Sequence, residues 1–220
     1  PACRHTRQLR SSTSTRTARL SGSASQRFYL ESSLASFLEL VSADEPAPAG
    51  GSVAAIAVGL AAGLCVMAAR LSQVHLTEAQ QIVADAESLR DRAAVLAQAD
   101  AEAYGLFVRE LRSPREGDPL ARRRRVLGAL SRAAQVPLEI AETGAAVAVL
   151  AARLAEDGNP NLLGDAVTAA LLAEAACRAA AGLVMINLKS SPEDERLERA
   201  TRAVAQSAES AGRARLWSEG

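Results

Sequence analysis

The stretch Pro46-Ala47-Pro48-Ala49-Gly50-Gly51-Ser52 runs directly into a segment, residues 53–69, that contains no charged side chain. The first half interrupts the chain and the second is suited to burial. Pro46 and Pro48 fix φ and hold the residues before them extended, so no helix crosses them. Gly50 and Gly51 allow a sharp turn and let another group approach where no Cβ stands. Ser52 then predicts a side-chain cap for a helix, whose free N–H groups offer an anion or carbonyl site. Spacing alone favours a tight turn feeding a core helix over a ligand-binding loop, because a lone glycine-rich turn is a weak motif.

Composition bounds the class outward from this stretch. The chain has 220 residues, with only three Phe, two Tyr and one Trp. Ala and Leu dominate, with Arg and Glu between them, which predicts an all-α fold. Residues 1–27 carry six Arg and no acid. They are expected to form a disordered Arg/Ser-rich tail, leaving residues 28–220 as one helical domain. A cytoplasmic location is expected; because such tails share the composition of organellar transit peptides, organellar import is the expectation if the tail is native. Removing those six Arg from the 25 basic residues leaves 19 against 25 acids. A mildly acidic body argues against nucleic acid as a partner. Three cysteines, Cys3, Cys65 and Cys177, show no paired spacing and suggest a reducing compartment. Residues 50–69 have the length to span a bilayer. They are mostly Ala and Gly, so a packed core helix is expected and no membrane partner.

Helices are read from periodicity. Leu34, Phe37, Leu38 and Val41 place one apolar face on a helix over residues 30–42. The next, over 52–71, is apolar all round and therefore central. A third is expected over 77–111, with Thr77 and Gln80 as a capping box and Ile82, Leu89, Leu96, Ala103 and Leu106 as its stripe. After a loop at 113–118 a fourth starts near Pro119, breaks at Pro137 and resumes over 138–154. Its arginine run at 122–125 reads as a solvated face, or as a site for an anionic tail. Residues 156–161 read as a turn. A fifth helix follows over 162–188, Ala-rich and almost uncharged. A sixth, charged and outermost, covers 192–217 and opens on Pro192-Glu193-Asp194-Glu195. The sum is a multi-helix antiparallel bundle around two Ala/Gly-rich central helices.

Few constellations carry chemistry. His5 and His75 form no cluster with the cysteines, so no metal site is expected and no Ser-His-Asp arrangement. Without a phosphate-binding or dinucleotide fingerprint, no tightly bound cofactor is expected. Two acids in helical context are left. Asp100 opens Asp100-Ala101-Glu102-Ala103-Tyr104 late in the third helix, and Asp165 follows Gly164 at the start of the fifth. An acid in a first turn favours the macrodipole without any further role, and spacing alone reads Asp100 equally well as a solvated helix acid.

Several motifs, in order, resemble the cyclodeaminase/cyclohydrolase family of folate enzymes. Val41-Ser42 and the stretch from Pro46 to Ala55 are similar to its opening motif. Asp100 to Tyr104 is similar to its mid-chain Asp motif, and Val136-Pro137-Leu138 to its Val-Pro-Leu kink. Gly158-Asn159 with Gly164-Asp165-Ala166 resembles its Gly-Asn … Ser-Asp-Ala segment, and Met185-Ile186-Asn187-Leu188 its Ile-Asn-Leu ending. The resemblance covers roughly residues 30–210. It implies a dimeric all-α domain that binds a tetrahydrofolate derivative near the subunit interface. It also implies Asp100 as catalytic base or proton shuttle, with Asp165 as a second catalytic acid that holds the pterin or orients a donor. Gly50, Gly51, Ser52, His75 and Asn187 are implied as substrate-binding residues. The implied reaction is hydrolysis of methenyltetrahydrofolate or cyclodeamination of the formimino form. With only a short tail before the first helix, cyclohydrolysis is the expectation. Four positions depart from the family: Ala49 replaces the first of three glycines, Gly164 a Ser, and Leu183 an Asn. Ser72-Gln73-Val74-His75 stands where the family carries Gly with Lys or Arg, leaving His75 as the one candidate for positive charge there. These departures motivate a second reading, a dimeric folate-binding or structural protein that has lost the chemistry.

Overall fold

The computed structural model describes residues 29–113 and 118–218. The expected disordered tail and most of the 113–118 loop lie outside them. Among the described residues there is no strand. A 3₁₀ turn at Tyr29–Glu31 leads into α1 (Leu34–Val41), α2 (Gly50–Arg70), α3 (Ala79–Arg112), α4 (Pro119–Ala133) and α5 (Gln135–Asp157). A second 3₁₀ turn, Pro160–Leu162, leads into α6 (Leu163–Asn187) and then α7 (Glu195–Ser218).

Side-chain links fix the helix directions. Ser52, at the start of α2, bonds Ala97 far along α3, while Arg70 at its end meets Glu87 early in α3. Arg92 pairs with Glu139 near the start of α5, and Arg153 near its end reaches back to Glu78. Arg199 and Arg213 of α7 pair with Glu142 and Glu156 of α5, in the same order along both helices. Therefore α2, α5 and α7 run one way and α3 runs the other. Helix α6 opposes α5, since it starts where α5 ends and its last residue, Asn187, bonds Ala133 beside the start of α5.

The core is built from small side chains. Alanines of α2, α5 and α6 are almost wholly buried against one another, with Val58, Leu138, Ile140, Val147 and Val184 filling between them. Each Ala buries little area, so such a core depends on close helix approach and dense packing. Gly144 shows how close: a Cβ there would lie 3.2 Å from the Ala173 carbonyl oxygen and 3.3 Å from Val58 Cγ2. Helix α5 packs against α2, α3, α6 and α7.

Several element boundaries differ from the sequence reading. The first expected helix is two pieces, a 3₁₀ turn and α1 capped by Ser33, whose Oγ accepts from the Ser36 N–H at 3.1 Å. Of its apolar face only Phe37 is buried; Leu34, Leu38 and Val41 are exposed. Helix α3 starts at Ala79 without a side-chain cap, so the Thr77–Gln80 capping box does not form; Thr77 bonds its neighbour Glu78 instead. Leu106, expected on its packed stripe, is exposed. The α4–α5 break falls at Ala134, not Pro137. Pro137 sits in the first turn of α5, where its missing N–H costs no intrahelical bond. Helix α7 begins at Glu195, after the expected Pro192 signature. There Arg196 binds Asp194, holding its carboxyl down at about 2, and also bonds Ser131 of α4. The arginine run is partly tied to its own hairpin: Arg122 donates to the Leu111 carbonyl, and Arg124 and Arg125 lie near Asp118 and Glu110.

Candidate active site

The chemistry-bearing residues gather where α2 begins. Extended backbone at Ala49 turns into the helix with no side-chain cap, so Gly50 and Gly51 are the first two helical residues rather than a loop. Ser52 is the third, not the expected cap, and is fully buried. Into this first turn projects Asp100 of α3, only 8% exposed. A Cβ on Gly51 would fall 2.1 Å from Asp100 Oδ1. Glycine is therefore required here by the approach of a carboxyl group, not by a turn. Gly50, one residue earlier, has open space around it.

Ser52 Oγ lies 2.8 Å from the Ala97 carbonyl oxygen and 3.3 Å from Asp100 Oδ2. A hydroxyl has one proton and two lone pairs. With that proton on the shorter bond to Ala97, the lone pairs face Asp100 and suit a protonated carboxyl. With the proton turned to Asp100, the carboxylate is served. Burial pushes the Asp100 carboxyl above its usual value, and the Ser52 hydroxyl and backbone N–H oppose the shift. The free N–H groups and positive dipole end of α2 favour the ionised form. Asp100 thus caps α2 across the bundle, in a setting where both protonation states have partners. That is the property a proton-transfer group needs.

The other expected site residues separate into two groups. Asn187 closes α6 at the Asp100 end of the bundle, where its Nδ2 donates to the Ala133 carbonyl at 3.1 Å. His75 and Asp165 lie at the opposite end. His75 is exposed in the turn after α2, its N–H bonding Ser72 O. Asp165 is half-buried in the first turn of α6. Ser72 Oγ accepts from the Asn159 N–H at 2.8 Å, and Asn159 Nδ2 donates to Leu71 O, tying the start of α6 to the end of α2. The 21 residues of α2 separate the two ends, about 30 Å at 1.5 Å per residue. One chain therefore does not bring Asp100 and Asp165 together.

Two aromatic pairs lie near Asp100, and of their four residues sequence reasoning gave a packing role only to Phe37. Tyr104 and Phe107, one and two turns farther along α3, have ring centroids 5.9 Å apart. Tyr29 meets Phe37 edge-on at 5.7 Å. Its phenol is raised by burial and then by the charges of Asp100 and Glu102. The scarcity of aromatics in the sequence was the available signal. Among the described residues no group of three metal-ligating side chains forms.

Comparison with known proteins gives one consistent family. The family model described as formiminotransferase-cyclodeaminase matches residues 33–207. A methenyltetrahydrofolate cyclohydrolase of Methylorubrum extorquens is 32% identical over 162 residues, covering 70% of this chain and 77% of that protein. The formimidoyltransferase-cyclodeaminase of Rattus norvegicus is 30% identical over 181 residues, 78% of this chain but only 33% of that longer protein. A crystal structure of a formiminotetrahydrofolate cyclodeaminase from Thermotoga maritima superposes with a TM-score of 0.78 at 28% identity, covering 87% of this chain and 98% of that one.

Proposed function

The chain belongs to the formiminotransferase-cyclodeaminase family, and on that premise we propose that it interconverts one-carbon forms of tetrahydrofolate, with Asp100 as the proton-transfer group. The observation that carries this is the buried Asp100 carboxyl lodged against Gly51 at the start of α2. In the hydrolytic direction water adds to the methenyl carbon, and Asp100 takes the proton the water loses. The carbon–N5 bond then breaks as Asp100 returns that proton to N5, the hydroxyl of the adduct gives its proton to solvent, and the formyl group stays on N10. In the cyclodeaminase direction N10 attacks the formimino carbon, Asp100 accepts the N10 proton and returns it to the formimino nitrogen, and that nitrogen leaves as ammonia as the methenyl cation forms. Either way one carboxyl alternates between base and acid, which a raised pKa favours. The first-turn N–H groups of α2 steady the charge on Asp100 and on bound substrate.

We propose further that the working form is a dimer. Val53, Leu60 and Met67 stand seven residues apart on one side of α2 and are exposed, Leu60 at 60%, with half-buried Ile56 and Leu64 beside them and exposed Leu71 just past the helix. Such a stripe suits a second helix. Both α2 and the segment Pro160–Asn187 are long and apolar enough to cross a membrane, but 56% and 44% of those stretches are buried in the bundle. The uncovered remainder of α2 is what a second copy would cover. Antiparallel pairing of two α2 helices about a two-fold axis would set the His75–Asp165 end of one subunit beside Asp100 of the other. The Cys65 and Cys177 thiols are buried, and burial pushes the first up to about 12, which makes it an unreactive core group.

The direction of the reaction is tested by supplying purified protein with methenyltetrahydrofolate and, separately, with the formimino substrate. Loss of the first identifies a cyclohydrolase, and ammonia from the second a cyclodeaminase. Folate binding with neither turnover supports the non-catalytic reading that the missing basic residue near His75 motivates.

A further inference from the structure

This chain places its few aromatic side chains unusually. Six occur in 220 residues, and five of them, Tyr29, Phe37, Tyr104, Phe107 and Trp217, lie among the described residues. Aromatic residues ordinarily supply much of a core, yet the central cluster of this bundle is Ala, Val, Leu, Ile and Cys. Tyr29 packs against that cluster and pairs with the buried Phe37, whereas Tyr104 and Phe107 pair with each other on α3 beyond Asp100. Tyr104 and Phe107 stand at i+4 and i+7 from Asp100, on the same face of α3. They lie about 6 and 10 Å farther along its axis. Tyr104 is 39% exposed and Phe107 half-buried. A contact between them that served only packing would be expected inside the bundle.

The spacing matches the substrate class proposed above. The reacting carbon of a tetrahydrofolate lies between N5 and N10, and N10 carries a benzoyl ring whose centre is one ring's breadth away. With the reacting carbon at Asp100, the ring on N10 falls within contact reach of a side chain one helical turn farther along α3, where Tyr104 stands. We propose that Tyr104 and Phe107 form the wall on which the benzoyl ring attached to N10 rests, fixing the direction in which the folate enters; this rests on the folate reading. The side chain of Tyr29, packed onto α3 and within reach of the Asp100 charge, borders the same site.

The test measures binding of 5-formyltetrahydrofolate by calorimetry to wild type and to Tyr104→Leu, Phe107→Leu and Tyr104→Phe, with folding checked by circular dichroism. Each Leu variant is expected to bind about tenfold more weakly. It should raise KM with kcat nearly unchanged, while Tyr104→Phe binds as wild type does. The fragment p-aminobenzoylglutamate should lose affinity in parallel, and a pterin lacking the benzoyl group should not. Wild-type affinity in a folded Tyr104→Leu/Phe107→Leu double variant overturns the wall and leaves the folate reading standing. Failure of the wild-type protein to bind the folate overturns both.

Discussion

At the residue scale the site depends on one missing Cβ. Gly51→Ala would place a methyl 2.1 Å from Asp100 Oδ1, and the carboxyl must move. The expected result is at least a tenfold loss of turnover with about 1–3 kcal/mol of stability, read by kinetics and denaturant unfolding. Gly50→Ala has open space and should change stability by no more than about 0.5–1 kcal/mol. Asp100 also gives stability a pH signature. Because burial raises its pKa above the usual 3.8, the folded chain holds that proton more tightly than the unfolded chain. Its ionisation therefore costs stability, and the cost grows as pH rises from the usual value through the raised one. Against Asp100→Asn, wild type should lose relative stability across that window; parallel pH profiles of the two would refute the raised pKa. The sequence supplied the glycines and, through family resemblance, the acid. It did not supply their contact. Gly51 and Asp100 are far apart along the chain, and Ser52, which reads as a local cap, is the bridge between two helices.

At the element scale the helices follow from Ala and Leu periodicity, while their ends do not. Helix α2 is capped by a carboxyl from α3, and the end of α2 is tied through Ser72 to Asn159. Caps of this kind involve partners distant in sequence, so local signatures such as Thr77–Gln80 mislead. Pro137 marks the neighbourhood of a break but not its position, because a first helical turn accepts proline at little cost. Ser72→Ala removes an oxygen that accepts from the Asn159 N–H and donates to Ala68 O at 2.7 Å. The Asn159 donor loses its partner, so stability should fall by about 1–3 kcal/mol, measured as the midpoint of thermal unfolding. An unchanged midpoint would show that water replaces Ser72 without cost.

At the scale of the whole molecule, the roughly 30 Å between Asp100 and Asp165 sets the question of assembly. If the sites are shared between subunits, inactive Asp100→Asn and Asp165→Asn proteins should complement one another. Random mixing gives half the dimers one intact site, restoring about a quarter of wild-type activity. Mixtures as inactive as the separate variants would place each site within one chain. An apolar stripe along α2 was legible as hydrophobic sequence but read as all core. Periodicity reports which residues avoid water and not whether the same chain or a second copy covers them.

The most direct measurement is the decay of methenyltetrahydrofolate absorbance with wild-type protein and with Asp100→Asn. The expected result is protein-dependent decay that falls about 10²- to 10⁴-fold in the variant, with folate binding retained. Wild-type decay no faster than buffer, together with no ammonia from the formimino substrate, would contradict the proposed activity. A fully active Asp100→Asn would contradict the role of the buried carboxyl on which the mechanism rests.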